Sequence, residues 1–182
     1  MNITSEELKA ALPPDATIFG IDPGTRESAI VGVRGGKVLG GGIWANDDML
    51  ATLRRDTVGG ILAVEMVASY GMAVGQETFD TCLWVGRFVE AWDNQGKPWH
   101  LLYRKKANPP FPAITMHLCK TTRAKDTNIR QALIDRFGPG KAAAIGVKRK
   151  PGPLYGISGD KWSALAVAVV CQDVMARTEV QA

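Results

Sequence analysis

The order of hydrophobic periodicities along the chain restricts its architecture more than any other feature. Thr17 to Asp22 is a short apolar run that ends at the turn pair Pro23-Gly24, the length and flank of a buried strand. Ser28 to Val33 reads as a second strand, and Gly35-Gly36 is a hairpin signal before a third over Lys37 to Trp44. Asp47-Asp48 can cap a short helix reaching about Arg55, which Gly59-Gly60 breaks. Ile61 to Val64 is then a short buried strand ending at Glu65. From there the pattern alternates: a helix over 76–93 stopped by Gly96 and Pro98, and a strand over Trp99 to Tyr103. An irregular stretch over 105–121, with Pro109, Pro110 and Pro112, precedes a helix from about Ala124 to Phe137. Gly138-Pro139-Gly140 stops that helix, a basic glycine-rich loop covers 141–159, and a last helix runs from about Lys161 to Met175. An antiparallel meander followed by strand–helix alternation predicts an α/β fold: a mixed central sheet, parallel in its second half, flanked by helices.

The 182 residues fit one domain, preceded by a polar arm over 1–15. No apolar run reaches the roughly 18 residues a membrane span needs. Met1 to Lys9 carries no cationic head followed by an apolar stretch, so a cytoplasmic protein without membrane contact is expected. Cys82, Cys119 and Cys171 are widely spaced, no CxxC pair occurs, and only His100 and His117 are available. That pattern suits three reduced structural thiols and argues against a zinc site.

Charge is distributed unevenly. Residues 1–103 hold 8 basic and 13 acidic side chains, whereas residues 104–161 hold 13 basic and 3 acidic. A segment so basic suits a polyanion, of which nucleic acid is the common one. Lys105 and Lys106, then Lys120, Arg123 and Lys125, flank the proline-rich stretch, and Lys148, Arg149 and Lys150 form a third group before Asp160. Contacts from such residues position a phosphate backbone without reading sequence.

Two acids stand out by place: Asp22 and Glu65 each end a short apolar strand, at the sheet edge where α/β sites are built. Asp160 opens the final helix and can approach the same edge. Taken singly, each has a plain alternative: Asp22 suits a turn before Pro-Gly, Glu65 a solvated strand end, Asp160 an N-cap. Carboxylates converging from separate elements repel unless a cation lies between them, and hard oxygen ligands favour Mg²⁺ or Mn²⁺. Two such ions can activate water and stabilise the leaving oxygen of a phosphodiester.

Ile18-Phe19-Gly20-Ile21-Asp22-Pro23-Gly24-Thr25 resembles the first motif of RuvC-family junction resolvases, and Ala63-Val64-Glu65 the second. Gly159-Asp160-Lys161-Trp162-Ser163-Ala164-Leu165-Ala166-Val167-Ala168 resembles the last, an acid-x-x-acid pair opening an alanine-rich helix. Ala68-Ser69-Tyr70-Gly71-Met72 and Asn128 to Asp135 are similar to phage-encoded members. The resemblance implies an RNase H-like fold, a homodimer, no organic cofactor, and paired nicks across a four-way DNA junction. It also implies Asp22, Glu65 and Asp160 as ligands of two ions, with Asp22 bridging them. Two departures accompany it: the fourth acid of the family falls on Ser163, and an aromatic wedge found in some members falls on Ala68, with Tyr70 as a substitute.

Other readings of the same residues remain open. Asp22-Pro23-Gly24-Thr25 also resembles the phosphate loop of actin-like ATPases, although those proteins are longer and repeat the core. A junction-binding protein without catalysis and an RNase H acting on RNA–DNA hybrids are the remaining alternatives. The helix over 76–93 carries two apolar faces, Phe79, Cys82, Leu83, Gly86 and Val89 on one and Trp84, Val85, Phe88 and Trp92 on the other. One face can pack on the sheet, and the other needs a second partner, a second subunit in preference to another part of the same chain, with Trp84 and Phe88 expected on the outside.

Overall fold

The structure is a computed structural model that describes residues 16–180, with side chains through residue 177; the expected polar arm over 1–15 lies outside the described residues. Strands β1 (Ile18–Asp22), β2 (Glu27–Arg34), β3 (Lys37–Ala45), β4 (Ile61–Met66) and β5 (Trp99–Tyr103) form one sheet in the order β3-β2-β1-β4-β5. β1, β2 and β3 pair antiparallel, while β1–β4 and β4–β5 pair parallel, which is the mixed sheet the meander-then-alternation pattern predicts. Between the strands run α1 (Asn46–Arg55) and α2 (Gln76–Asp93), and after them α3 (Ile114–Cys119), α4 (Asp126–Phe137), α5 (Lys141–Ala144) and α6 (Lys161–Val180). A small hairpin, β6 (Gly146–Val147) with β7 (Lys150–Pro151), lies in the loop before α6. Among the described residues no helix is long and apolar enough to cross a membrane.

Helices cover both sheet faces because strand side chains alternate. Ile18, Ala29, Val31, Val33, Ile61 and Ala63 point to one side and pack with the apolar length of α6, which α3 and α4 support from outside. Ile21, Ile30, Leu62 and Val64 point to the other and meet Met49, Leu50 and Leu53 of α1 and Val85, Phe88, Ala91 and Trp92 of α2. Each large side chain so buried contributes about 1.5–3 kcal/mol relative to exposure. The nearly unbroken Ala164–Cys171 run of buried residues shows why α6 carries so little amphipathic pattern: it is enclosed on all sides.

Three sequence expectations are corrected. Phe88 is fully buried at 0 % exposure with Val85 and Trp92, and Trp84 is half-buried with the Arg87 guanidinium 4.2 Å above its ring. The outward face of α2 is therefore the other stripe, where Phe79 and Leu83 are 58 % and 62 % exposed. The stretch over 105–121 is not wholly irregular, since Ile114–Cys119 forms a short helix after the prolines. Asp47 and Asp48 make no cap hydrogen bond; they sit in the first turn of α1 behind Ala45, where they complement the positive helix end.

Candidate active site

Strand parity places the acids. Ile18 and Gly20 of β1 face α6 while Ile21 faces α1 and α2, so Asp22 belongs to the α6 side. Ile61 and Ala63 of β4 do the same, which puts Glu65 on that side too. Ile21 pairs with Val64 in parallel register, and the next residues along, Asp22 and Glu65, are lateral neighbours at the ends of adjacent strands. Gly20 allows the third element in: a Cβ there would lie 2.2 Å from the Ala164 carbonyl oxygen and 2.8 Å from the Ala168 Cβ. The first turn of α6, with Asp160 and Ser163, consequently closes on the acids.

The turn after Asp22 is braced by a buried network. The Gly24 amide donates to Ser28 Oγ at 3.1 Å, Ser28 Oγ donates to Asn46 Oδ1 at 2.6 Å, and Asn46 Nδ2 donates to the Gly24 carbonyl at 2.9 Å. Ser28 and Asn46 are buried, and their bonds satisfy polar atoms that would otherwise be costly there.

Arg104, which sequence reading passed over, stands at the centre of the site. Its Nε and Nη2 donate to the two Glu65 oxygens at 2.8 and 3.2 Å, Nη2 also reaches Ser163 Oγ at 3.1 Å, and Nη1 pairs with Asp126. Its carbonyl is held by the amide and hydroxyl of fully buried Thr115 at 3.0 and 2.8 Å. The register of the folded sheet is what marks it: Leu102 pairs with Glu65 and faces α6, so the residue two further on shares that face at the same sheet edge.

Electrostatics follow from this crowding. The Asp22 carboxyl is pushed up to about 7, first by burial and then by the Glu65 charge, with Asp160 adding to the effect; the Arg104 charge and a hydrogen bond from Ser163 act the other way. Burial works against the Arg104 cation, yet its bonds to Glu65 and the charges of Asp126 and Asp22 hold it above its ordinary value. Asp160 is exposed at the rim, within electrostatic reach of Asp22. Among the described residues no group of three Asp, Glu, His or Cys side chains is placed to hold a metal ion by itself. The donors fit a divalent ion in the manner of Mg²⁺, which takes one or two carboxylates and completes its shell with water and phosphate. Asp22, with a like charge beside it in a largely buried position, is where such a cation would relieve most repulsion.

The other expected residues spread around this centre. Tyr70, 42 % exposed and with φ of 48°, accepts a hydrogen bond from the Lys105 amide at 3.1 Å, and the Lys105 ammonium lies 5.9 Å from its ring. Lys106 lies 5.6 Å from the Tyr103 ring. Lys120 ends α3 and donates to the His117 carbonyl at 2.9 Å, Lys125 precedes α4, and Arg123 is exposed between them. Lys148 and Arg149 form the tip of the β6–β7 hairpin with Lys150 beside them, all exposed. The three cysteines are free thiols.

No protein-family model matches the chain, and no curated protein matches it by sequence. Solved structures do. A Thermus thermophilus RuvC structure is 15 % identical with a TM-score of 0.55, covering 91 % of this chain and 95 % of that one. T. thermophilus RuvC in complex with a Holliday junction substrate is 16 % identical with a TM-score of 0.57 and the same coverage. The five-stranded mixed sheet with helices on both faces is thus an RNase H-like fold, shared with these RuvC structures.

Proposed function

We propose that the protein is a structure-selective endonuclease that hydrolyses phosphodiesters in four-way or related branched DNA with a divalent metal. The observation that carries this reading is the meeting of Asp22 and Glu65 with the first turn of α6, in a chain whose 104–161 segment holds 13 basic against 3 acidic side chains. A structural neighbour of the same fold was solved on a Holliday junction, which supports the choice of substrate. Asp22 and Glu65, with Asp160 at the rim, would hold Mg²⁺ or Mn²⁺, which supplies an activated water and stabilises the leaving oxygen. Ser163 steadies the Asp22 carboxylate through its hydroxyl, and Arg104 fixes the orientation of Glu65. Lys105, Lys106, Lys120, Arg123 and Lys125 hold the DNA backbone around the site, and Tyr70 is the exposed aromatic available to stack on an opened base.

A labelled four-way junction, a linear duplex and an RNA–DNA hybrid, each with and without Mg²⁺, test this directly. Cutting of the junction in metal alone is expected. Cutting confined to the hybrid would make the protein an RNase H. Junction binding without cutting of any substrate would make it a binder, the reading that the serine at position 163 favours.

The hairpin cations make a separate prediction. Replacing Lys148, Arg149 and Lys150 with glutamine should weaken junction binding across sequences. It should also flatten the log–log salt dependence by roughly 0.9 for each phosphate no longer neutralised. An unchanged slope in a salt-titrated gel shift would remove this hairpin from the interface.

Paired nicks need two acid sites, and a two-fold pair of chains supplies them. We place the second copy on the outward face of α2, where Phe79 and Leu83 are exposed beside Gly86, a surface a lone chain leaves to water. Phe79→Glu with Leu83→Glu should convert a dimer to a folded monomer in light scattering and leave single nicks in place of paired ones. A wild type that scatters as a monomer would end this proposal.

A further inference from the structure

We propose that Arg104 is a positioning residue that acts as a fixed internal cation of the acid site, so that each chain takes one divalent ion where the family resemblance implies two. The inference rests on the metal-dependent reading above and concerns what the site can hold.

Space is the first argument. The guanidinium fork spans β4, α6 and α4 at once: Nε and Nη2 on the two Glu65 oxygens, Nη2 on Ser163 Oγ, Nη1 on Asp126. Ser163 stands where the family resemblance places a fourth acid, and the guanidinium lies 3.1 Å from its hydroxyl. The volume between Glu65 and the 163 position is therefore already filled by a cation. Thr115 holds the Arg104 backbone from a fully buried position with two hydrogen bonds, so the fork is built in rather than a surface side chain folded over. Its side chain is 24 % exposed.

Charge is the second. Asp22 and Glu65 lie at the adjacent strand ends with Asp160 at the rim, and Arg104 already sets one positive charge against the Glu65 oxygens, which reduces the repulsion a second divalent ion would relieve. Asp126 meets the outer edge of the fork with its own side chain 79 % exposed, where water screens it. A serine at 163 and an arginine at 104 are complementary: an acid at 163 would pair with this guanidinium, and a neutral hydroxyl accepts from it while donating to Asp22.

Counting ions tests the inference without reading activity. Full-length, metal-stripped protein is titrated with Mn²⁺ alone, bound metal is taken from the loss of the free-ion EPR signal, and circular dichroism checks folding. Wild type should bind one Mn²⁺ per chain, Arg104→Gln two, and Arg104→Lys, which keeps the charge, one. A residue that merely braced the fold would leave the count unchanged on substitution. Two ions per wild-type chain, no bound ion, or one ion in both wild type and Arg104→Gln would overturn the proposal. If Arg104→Gln does not fold, the wild-type count decides alone. A count of two with junction cutting removes this inference and keeps the nuclease reading; a count of one without cutting of any DNA does the reverse.

Discussion

Asp22→Asn is expected to cut junction cleavage by at least about a thousandfold, near 4 kcal/mol of barrier, while leaving junction binding intact or tighter. The carboxylate sits at the meeting of β1, β4 and α6, largely buried beside Glu65, where it is the acid best placed to hold a cation. Removing its charge also removes repulsion toward phosphate. The same substitution has a second, opposite effect that marks the site as one held together for function. In metal-free protein the Asp22 carboxyl is pushed up from its ordinary 3.8 to about 7. The folded state then binds this proton more tightly than the unfolded state, so the group favours folding most at low pH and loses that contribution as pH rises through 7. At pH 8 in EDTA the wild type carries the full cost of an ionised Asp22, which asparagine avoids. Asp22→Asn should therefore melt higher there by about 2–4 °C per kcal/mol relieved, with at least about 1 kcal/mol expected, and the gain should shrink toward pH 5. Thermal melts at both pH values, alongside gel shifts and cleavage assays, check both halves. A variant that loses binding and melts lower would show that Asp22 is structural.

The acids were legible in the sequence because their positions depend on local rules. A strand's alternation and its end decide where Asp22 and Glu65 point, and both rules can be read from six or seven residues. Arg104 was hidden by its neighbours: beside Lys105 and Lys106 it looks like one more basic surface residue. Only the β4–β5 register, with Glu65 opposite Leu102, reveals that it turns inward. The α2 faces failed for a related reason. Two apolar stripes of similar character do not say which one meets the sheet; the path of the chain between β4 and α2 decides that, and it buried Phe88. The helix at Ile114–Cys119 and the two-residue strands β6 and β7 are too short to leave a periodic signal.

Gly20→Ala should be strongly damaging for a single added methyl, and its effect should reach the site. The added Cβ would meet the Ala164 carbonyl oxygen at 2.2 Å, the Ala168 amide nitrogen at 2.7 Å and the Ala168 Cβ at 2.8 Å. Two of these are backbone atoms in the middle of a buried helix, so no side chain can rotate away. The clash is relieved only if α6 moves off β1. Overpacking of this kind costs about 1–3 kcal/mol, and the upper end is expected here, a fall of about 6–12 °C in melting temperature. Moving α6 also carries Ser163 and Asp160 away from Asp22 and Glu65. Displacements of about 1 Å at a reacting centre can cost a hundredfold. A folded Gly20→Ala protein should therefore cut at least about tenfold more slowly than its loss of folded population explains. Gly32→Ala is the control, because its methyl meets nothing nearer than 3.7 Å and should leave both quantities nearly unchanged. Equal melting temperatures for the two variants would mean that α6 does not pack on β1 at Gly20, and that Ser163 is not held against the acids.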